Sequence, residues 1–575
     1  MHDTVIRGGT VYDGTGRRGF TADVAIDQGR VSAVGEITAK AREEVDATGL
    51  VVCPGFVDVH THYDGQVTWE NRTSPSVGHG VTTVLMGNCG VGFAPCRPGD
   101  RERLVHLMEG IEDIPEIVMA EGIPWTWETY PEYLDVISTK SRDIDVASQL
   151  PHSCLRVYVM GERGLRGEAA RPEDLEAMKR LTESAMRAGA LGFGTSRTLF
   201  HKSSDGTQVP TKTAHEDELN AIADGMRAAG HGVMQAIIEL LHEEDSLSEL
   251  RMLGRVARRA SCRASYTLVQ MPGSSDGWRS ALDLTHELNA AGVNIKAQTL
   301  CRPSGLLLGL DLSYNPFSRQ ASYREIADLP LPQKVEAMRD PARRARILSE
   351  PPTAEGIAHL HYVTMFDRMF ALGDPANYEP DADDSIAARA ARRGVSPAAL
   401  AYDVLLENDG QSILFLAAAN YVDGNLDAVG EMLTDSASLW GLGDGGAHYG
   451  MVCDGSYSTY LLTHWARDRT QGKRLSVEDV VHGLTQRPAE AIGLLDRGVL
   501  APGYKADINI IDHQRLHLHP PSAVRDLPSN GRRLVQRVEG YVATLVNGVA
   551  IERDGKPTAS LPGRLVRGPQ PPPAI

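Results

Sequence analysis

Two histidines set two residues apart, in Pro54-Gly-Phe-Val-Asp-Val-His60-Thr-His62, are the residues of this chain best placed to do chemistry. The run before them is apolar and β-branched, as a short buried strand requires, and residues i and i+2 of a strand point to the same side. Both imidazoles can therefore converge on one point, and neutral imidazole is a common ligand of zinc. An isolated His-x-His is more often a packed pair, but this one has company. Asn88 and Cys89 follow Thr82-Thr-Val-Leu-Met, and Asp444 follows Trp440-Gly-Leu-Gly and precedes Gly445-Gly446-Ala-His448. A carboxylate there can join His60 and His62 as a three-ligand set that leaves one position open for water. The same Gly-rich surroundings also suit Asp444 as a turn or cap residue.

The elements that must position these groups repeat along the middle of the chain. The spacing predicts a helix over Pro172–Gly189 followed by a strand at Leu191–Thr195, then Glu216–Ala229 and Gly232–Gln235. A Ser246/Glu249 capping box opens the next helix, to Ala260, before Ser265–Gln270; Arg279–Ala291 and Val293–Gln298 make a fourth copy. Helices alternating with short buried strands predict an α/β fold built on a (β/α)8 TIM-like barrel. Nine strand candidates compete for eight places if Ile413-Leu-Phe-Leu and Leu439-Trp-Gly-Leu both count. Barrel chemistry sits at the carboxyl ends of the strands. Besides the residues above, those ends carry Glu162 after Arg156-Val-Tyr-Val-Met, Ser196 and Arg197, Gln235, Gln270 and Gln298.

Short β-rich runs separated by Gly8-Gly9, Asp13-Gly14 and Gln28-Gly29 open the chain, and the same texture returns at Ala506–Ile511 and Gly540–Gly548. The expected organisation is a small β-sandwich domain built from both termini (residues 1–53 and 499–562), a barrel over 54–498, and a tail over 563–575. A Pro-rich break at about 302–384, with two short helices around Asp340-Pro341, reads as an insertion that covers the barrel mouth or as a surface excursion. Apolar content of 42% and charged content of 23% suit a globular core, and a formal charge of −17 argues against a nucleic-acid binder. No apolar run reaches membrane-spanning length and the amino terminus lacks a signal-peptide pattern, so no membrane partner is expected. The seven cysteines are scattered and odd in number, which points to a reducing, cytoplasmic setting. A monomer and a homo-oligomer are both compatible with these features.

Four stretches, Pro54–His62, Gly87-Asn-Cys-Gly-Val-Gly, Gly192-Phe-Gly-Thr-Ser and Gly443-Asp-Gly, resemble the amidohydrolase superfamily, most closely its D-aminoacylase (N-acyl-D-amino-acid deacylase) branch. Leu484–Leu494 and Arg497–Ile508 are similar to that superfamily's exit into its small β domain. The resemblance implies a zinc hydrolase cleaving N-acyl-D-amino acids. It implies that His60, His62 and Asp444 share one metal, that Asp444 is also the proton shuttle, and that Cys89 is a thiolate ligand. The branch has histidines at the ends of its fifth and sixth strands, where this chain has Gln235 and Gln270. Neutral amides are poor zinc ligands beside imidazole, so a single zinc ion is expected. Glu239, His201 or His448 are possible substitutes for the replaced ligands, and His231, His242 and His286 read as surface residues.

The expected substrate is a small-molecule amide attacked by metal-activated water. Asp444 would move the proton, and His448 or His201 would help to stabilise the oxyanion. Arg163, Arg197 and Arg302 are the candidates to receive a substrate carboxylate. Two other readings fit the residues: a hydrolase of a cyclic amide, imide or modified peptide, and a metal-free barrel acting as a binding or scaffold protein.

Overall fold

The computed structural model describes residues 1–353 and 362–574. The expected insertion at 302–384 contains 354–361 and the expected tail ends at 575; those nine positions lie outside the described residues.

Eight parallel strands run side by side in chain order: β1 (Phe56–Asp58), β2 (Val81–Met86), β3 (Asp145–Pro151), β4 (Gly192–Ser196), β5 (Val233–Ile237), β6 (Arg263–Thr267), β7 (Ile295–Thr299) and β8 (Ser438–Trp440). Nearly every residue of these strands is buried, because helices cover the outer face and packed side chains fill the inside. β8 does not pair with β1 along its own length. The ring closes one turn further on, where Thr61 bridges Gly445 in parallel register. There the Asp444 N–H donates to the His60 carbonyl (3.1 Å) and the His62 N–H to the Gly445 carbonyl (2.8 Å).

Leu439-Trp-Gly-Leu thus supplies the eighth strand. Its competitor enters a three-stranded antiparallel sheet, Leu414–Ala419 between Ser304–Leu308 and Met369–Ala371. Side chains alternate across that sheet. Leu414 and Leu416 face a separate core with Phe317, Met338, Ile386 and Tyr402, whereas Phe415 and Ala417 join the main core. The helices Leu331–Arg339 and Pro341–Ser349 flank Asp340, whose carboxylate accepts from the Ala342 and Arg343 N–H groups and caps the second.

Two local expectations need correction. Arg156-Val-Tyr-Val-Met, read as a strand from its β-branched and aromatic residues, lies inside the helix His152–Met160, and β3 ends just before it. The helix wins because His152 and Arg156, one turn apart, both reach the buried Glu218 carboxylate. Helix Glu243–Ala260 begins three residues before Ser246. Ser246 Oγ donates to the Glu239 and His242 carbonyls instead of capping, and Glu243, Glu244 and Asp245 face the helix's positive end.

Strands from both ends of the chain share one further sheet, in which His2–Val11 pairs with Phe20–Asp27, Ala41–Asp46 and Val51–Pro54, and Val51–Pro54 pairs with Ile508–Ile511. It has its own core of Ile6, Val24, Val52, Ile508, Ile510 and Leu545. A buried ion cluster ties this domain to the barrel: Asp145 on β3 accepts from Arg497 (2.8 Å) and Lys505 (3.0 Å). Its other oxygen takes the Arg564 N–H, so the chain end runs along the barrel, with the Val566 N–H on the Val146 carbonyl. No helix among the described residues is long and apolar enough to cross a membrane.

Burial alone would raise the Asp145 pKa, but Lys505 and Arg497 hold it well below the usual carboxylate range. Its stabilising contribution is therefore complete above about pH 4 and is lost as pH falls toward the depressed value. Asp145→Asn removes a carboxylate shared by two buried cations, of which Arg497 keeps Asp496 (2.9 Å) and Lys505 keeps Asp507 (2.8 Å), and should cost about 1–3 kcal/mol at pH 7. Calorimetric melting should show a lowered midpoint for the variant at pH 7, with the difference shrinking as pH is taken below about 4.

Candidate metal centre

Strand alternation delivers the two histidines as expected. His60 and His62 lie one step apart beyond β1 with ring centroids 5.5 Å apart, both fully buried. Thr61 points away between them, and its hydroxyl donates to the Leu85 carbonyl of β2. Cys89 comes in from the turn after β2 with φ +56°, a left-handed conformation uncommon outside glycine. Leu442, Asp444 and His448 also have positive φ. Such backbone departures persist where surrounding structure over-determines them, commonly at functional sites. Gly446, itself at φ +87°, lies so close to His62 that a Cβ there would sit 2.9 Å from the His62 carbonyl carbon.

The donor atoms converge. His60 Nε2 lies 3.2 Å and His62 Nε2 3.7 Å from Cys89 Sγ, with all three atoms within 4.8 Å of one another. Asp444 Oδ1 is 3.5 Å from His60 Nε2 and 3.6 Å from His62 Nε2. Zinc bonded tetrahedrally at 2.0–2.3 Å holds its donors about 3.3–3.8 Å apart. His60, His62 and Cys89 therefore offer zinc-type donors grouped closely enough for one ion, with Asp444 against both imidazoles.

Each imidazole is also oriented from behind. His60 Nδ1–H donates to Gln298 Oε1 (2.7 Å), which directs the Nε2 lone pair at Cys89; Gln298 Nε2 in turn donates to Ser265 Oγ. His62 Nδ1 faces Glu112 Oε1 at 3.4 Å, and neither atom has a hydrogen-bond partner. Glu112, which the sequence reading missed, ends helix Arg101–Glu112, and its other oxygen is 3.5 Å from His448 Nε2. Gln298 was visible as a strand end on β7, but its role was not.

Burial lowers the His60 pKa to about 4, so this ring is a neutral ligand at pH 7. Burial opposes charge on His62 as well, yet Glu112, Cys89 and Asp444 together raise it well above its ordinary value. Burial pushes the Cys89 thiol up to about 12 and the Glu112 carboxyl to about 7. Asp444 is half-buried; against the effect of burial, the hydrogen bond to His62 and the charges of His60, His62 and His448 hold it well below the carboxylate range. A cation at this point would displace the protons of His62 and Cys89, the usual linkage of metal uptake to proton release.

A cavity of about 430 Å³ opens from the cluster, bordered by His60, His62, Cys89, Glu112, Asp444, His201 and His448 and otherwise mostly by apolar side chains. The three candidate arginines do not line it. Arg163 lies on a surface helix and pairs with Asp174 (3.0 Å) and Glu168, a displacement that follows from the misread strand. Arg197 is engaged by Glu249 and the Ala214 carbonyl. Arg302, fully buried, is held by Asp454 and Ser456 and lies over the Tyr378 ring. Gln235 accepts the Cys89 N–H (2.9 Å), whereas Gln270 turns to Asp423 and the Val422 N–H. Glu239 is occupied by the Leu199, Leu240 and Leu241 N–H groups and Lys212. His242 precedes a helix and His286 pairs with Asp435, both away from the cluster; His231 lines a different cavity beside Arg263 and Asn294.

Known proteins resemble this chain over nearly its whole length. The model of the Amidohydrolase family matches residues 43–551. N-acyl-D-glutamate deacylase of Alcaligenes xylosoxydans xylosoxydans is 26% identical, covering 98% of this chain and 96% of that protein. A crystal structure of D-aminoacylase superposes with a TM-score of 0.65 at 22% identity over 99% of this chain and all of the other. N-acyl-D-glutamate deacylase from Bordetella bronchiseptica, complexed with zinc and a phosphonate inhibitor, gives 0.65 at 22% identity over 98% and 99%. The chain belongs to the amidohydrolase family, in its D-aminoacylase branch, and is a hydrolase of amide bonds.

If Gln298 fixes the His60 ring, Gln298→Leu should weaken zinc binding by roughly 10–100-fold while leaving the fold intact. Competition against a chromogenic chelator measures this, with far-ultraviolet circular dichroism as the control.

Proposed function

We propose that the protein is a zinc-dependent deacylase that cleaves N-acyl-D-amino acids or related acylated amides, using one zinc ion. The observation that carries this reading is the convergence of His60, His62 and Cys89, with Asp444 against both imidazoles, at the mouth of a barrel of this family. The D configuration and the acylated substrate come from the names of the relatives. A single ion is favoured because Gln235 and Gln270, at the fifth- and sixth-strand positions, are engaged in hydrogen bonds to backbone and to Asp423.

Bound zinc would lower the pKa of a water molecule to roughly 7 and polarise the scissile carbonyl. His60, His62 and Cys89 would hold the ion, with Gln298 and Glu112 fixing the two rings. Asp444, ionised at neutral pH and reached from the cavity, would take the proton of the attacking water and deliver it to the leaving nitrogen. His448 and His201 border the same space and would donate toward the developing oxyanion.

Asp444→Asn should lower kcat by about 10²–10⁴-fold while His60, His62 and Cys89 keep the metal. Steady-state kinetics with elemental analysis of the same preparations tests this; undiminished turnover would remove Asp444 from the proton path. Chelation should abolish activity and added zinc restore it, with one zinc per chain.

A further inference from the structure

Three glutamines lie inside the barrel beneath the donor cluster: Gln149 on β3, Gln235 on β5 and Gln298 on β7, each at most 1% exposed. Strands of an eight-stranded barrel step by about one residue per neighbour, so positions level with each other on alternate strands are offset by about two. Gln149 pairs with Gly192, whereas Gly194 pairs with Gln235. Gln235 pairs in turn with Ser265, whereas Thr267 pairs with Gln298. The three amides therefore occupy one layer of the barrel interior, a place that branched aliphatic side chains ordinarily fill.

Each amide reaches a different part of the donor set. Gln298 Oε1 accepts from His60 Nδ1 (2.7 Å). Gln235 Oε1 accepts the Cys89 N–H (2.9 Å), and Gln149 Nε2 donates to Asn88 Oδ1 (3.1 Å). The remaining atoms, Gln149 Oε1 and Gln235 Nε2, have no partner among the described residues, so the amides are spent on the donors rather than on one another. Asn88 and Cys89 belong to a turn whose backbone is left-handed at Gly87, Cys89 and Gly90. The turn lies directly on β4, where a Cβ on Gly194 would sit 2.3 Å from the Gly87 carbonyl oxygen. Left-handed backbone is costly at a cysteine and needs outside restraint. A buried acceptor on the Cys89 N–H is such a restraint, and the conformation it holds puts Sγ 3.2 Å from His60 Nε2 and 3.7 Å from His62 Nε2.

We propose that this glutamine layer positions the metal donors, and that Gln235 is the positioning residue that aims the Cys89 thiolate. The inference rests on the metal-centre reading above and deepens it: Gln235 supplies no donor atom itself and acts on the ion through the backbone of another ligand.

The test loads the metal-free full-length chain with cobalt(II) and reads the near-ultraviolet thiolate-to-cobalt charge-transfer band, with affinity measured by titration. Gln235→Leu should at least halve the band per bound cobalt and weaken binding by about tenfold. A full band in this variant overturns the inference. In a Cys89→Ala background the same substitution should weaken cobalt binding by less than about twofold. A further tenfold loss there would show that Gln235 acts on the fold at large, which also overturns the inference. Gln149→Leu, which loosens the same turn through Asn88, should lower the band in the same direction and takes the place of Gln235→Leu if that variant does not fold; a full band in it then decides against the proposal. Absence of the band from the unaltered chain would defeat Cys89 as a ligand, and with it both the proposed metal centre and this inference.

Discussion

Two backbone hydrogen bonds, Asp444 N–H to the His60 carbonyl and His62 N–H to the Gly445 carbonyl, close the barrel. They join the same two segments that supply the imidazoles and the carboxylate. Barrel closure and the assembly of the donor set are therefore one event. If the eighth strand slipped by one residue relative to the first, the ring would open and Asp444 would turn away from the histidines together. The left-handed backbone at Asp444 and the glycines after it follow from the same demand, since the chain must turn sharply while touching Tyr63 and Ser76.

Around that seam several polar groups are paired in a low-dielectric interior, while His62 Nδ1 and Glu112 Oε1 face each other at 3.4 Å without a hydrogen bond. Gln298 takes one imidazole and Glu112 faces the other. The Gln235 carbonyl meets the Cys89 N–H, and Asn88 braces the turn by donating to the Thr61 and Leu85 carbonyls. The buried arginines obey the same constraint. Arg302 and Arg497 lie inside the protein only because carboxylates lie with them.

The strand period made His60 and His62 legible, and the glycine run made the turn at Asp444 legible. The repeating helix–strand rhythm gave the barrel, down to a helix over Glu216–Ala229. Cys89 was legible only through family resemblance, because a lone cysteine looks like any small buried residue. Glu112 had no signal: it ends a helix in the long β2–β3 connection, and only tertiary contact brings it to His62. Arg163 failed through a local misreading, since Arg156-Val-Tyr-Val-Met has strand composition but is fixed as helix by a partner 62 positions away. Whether an arginine is available to a ligand depends on which acid it meets in the fold, which spacing along the chain does not encode.

Residues 304–353 and 362–419 pack largely around a core of their own yet lend Leu306, Met365 and Ala418 to the cavity wall. None of the proposed zinc donors belongs to them. Part of the cavity wall thereby comes from a stretch of chain that supplies no zinc donor, while Leu240, Leu241, Val269 and Met451 come from outside it. Drift within this region can reshape that part of the wall while the hydrolytic apparatus is inherited intact.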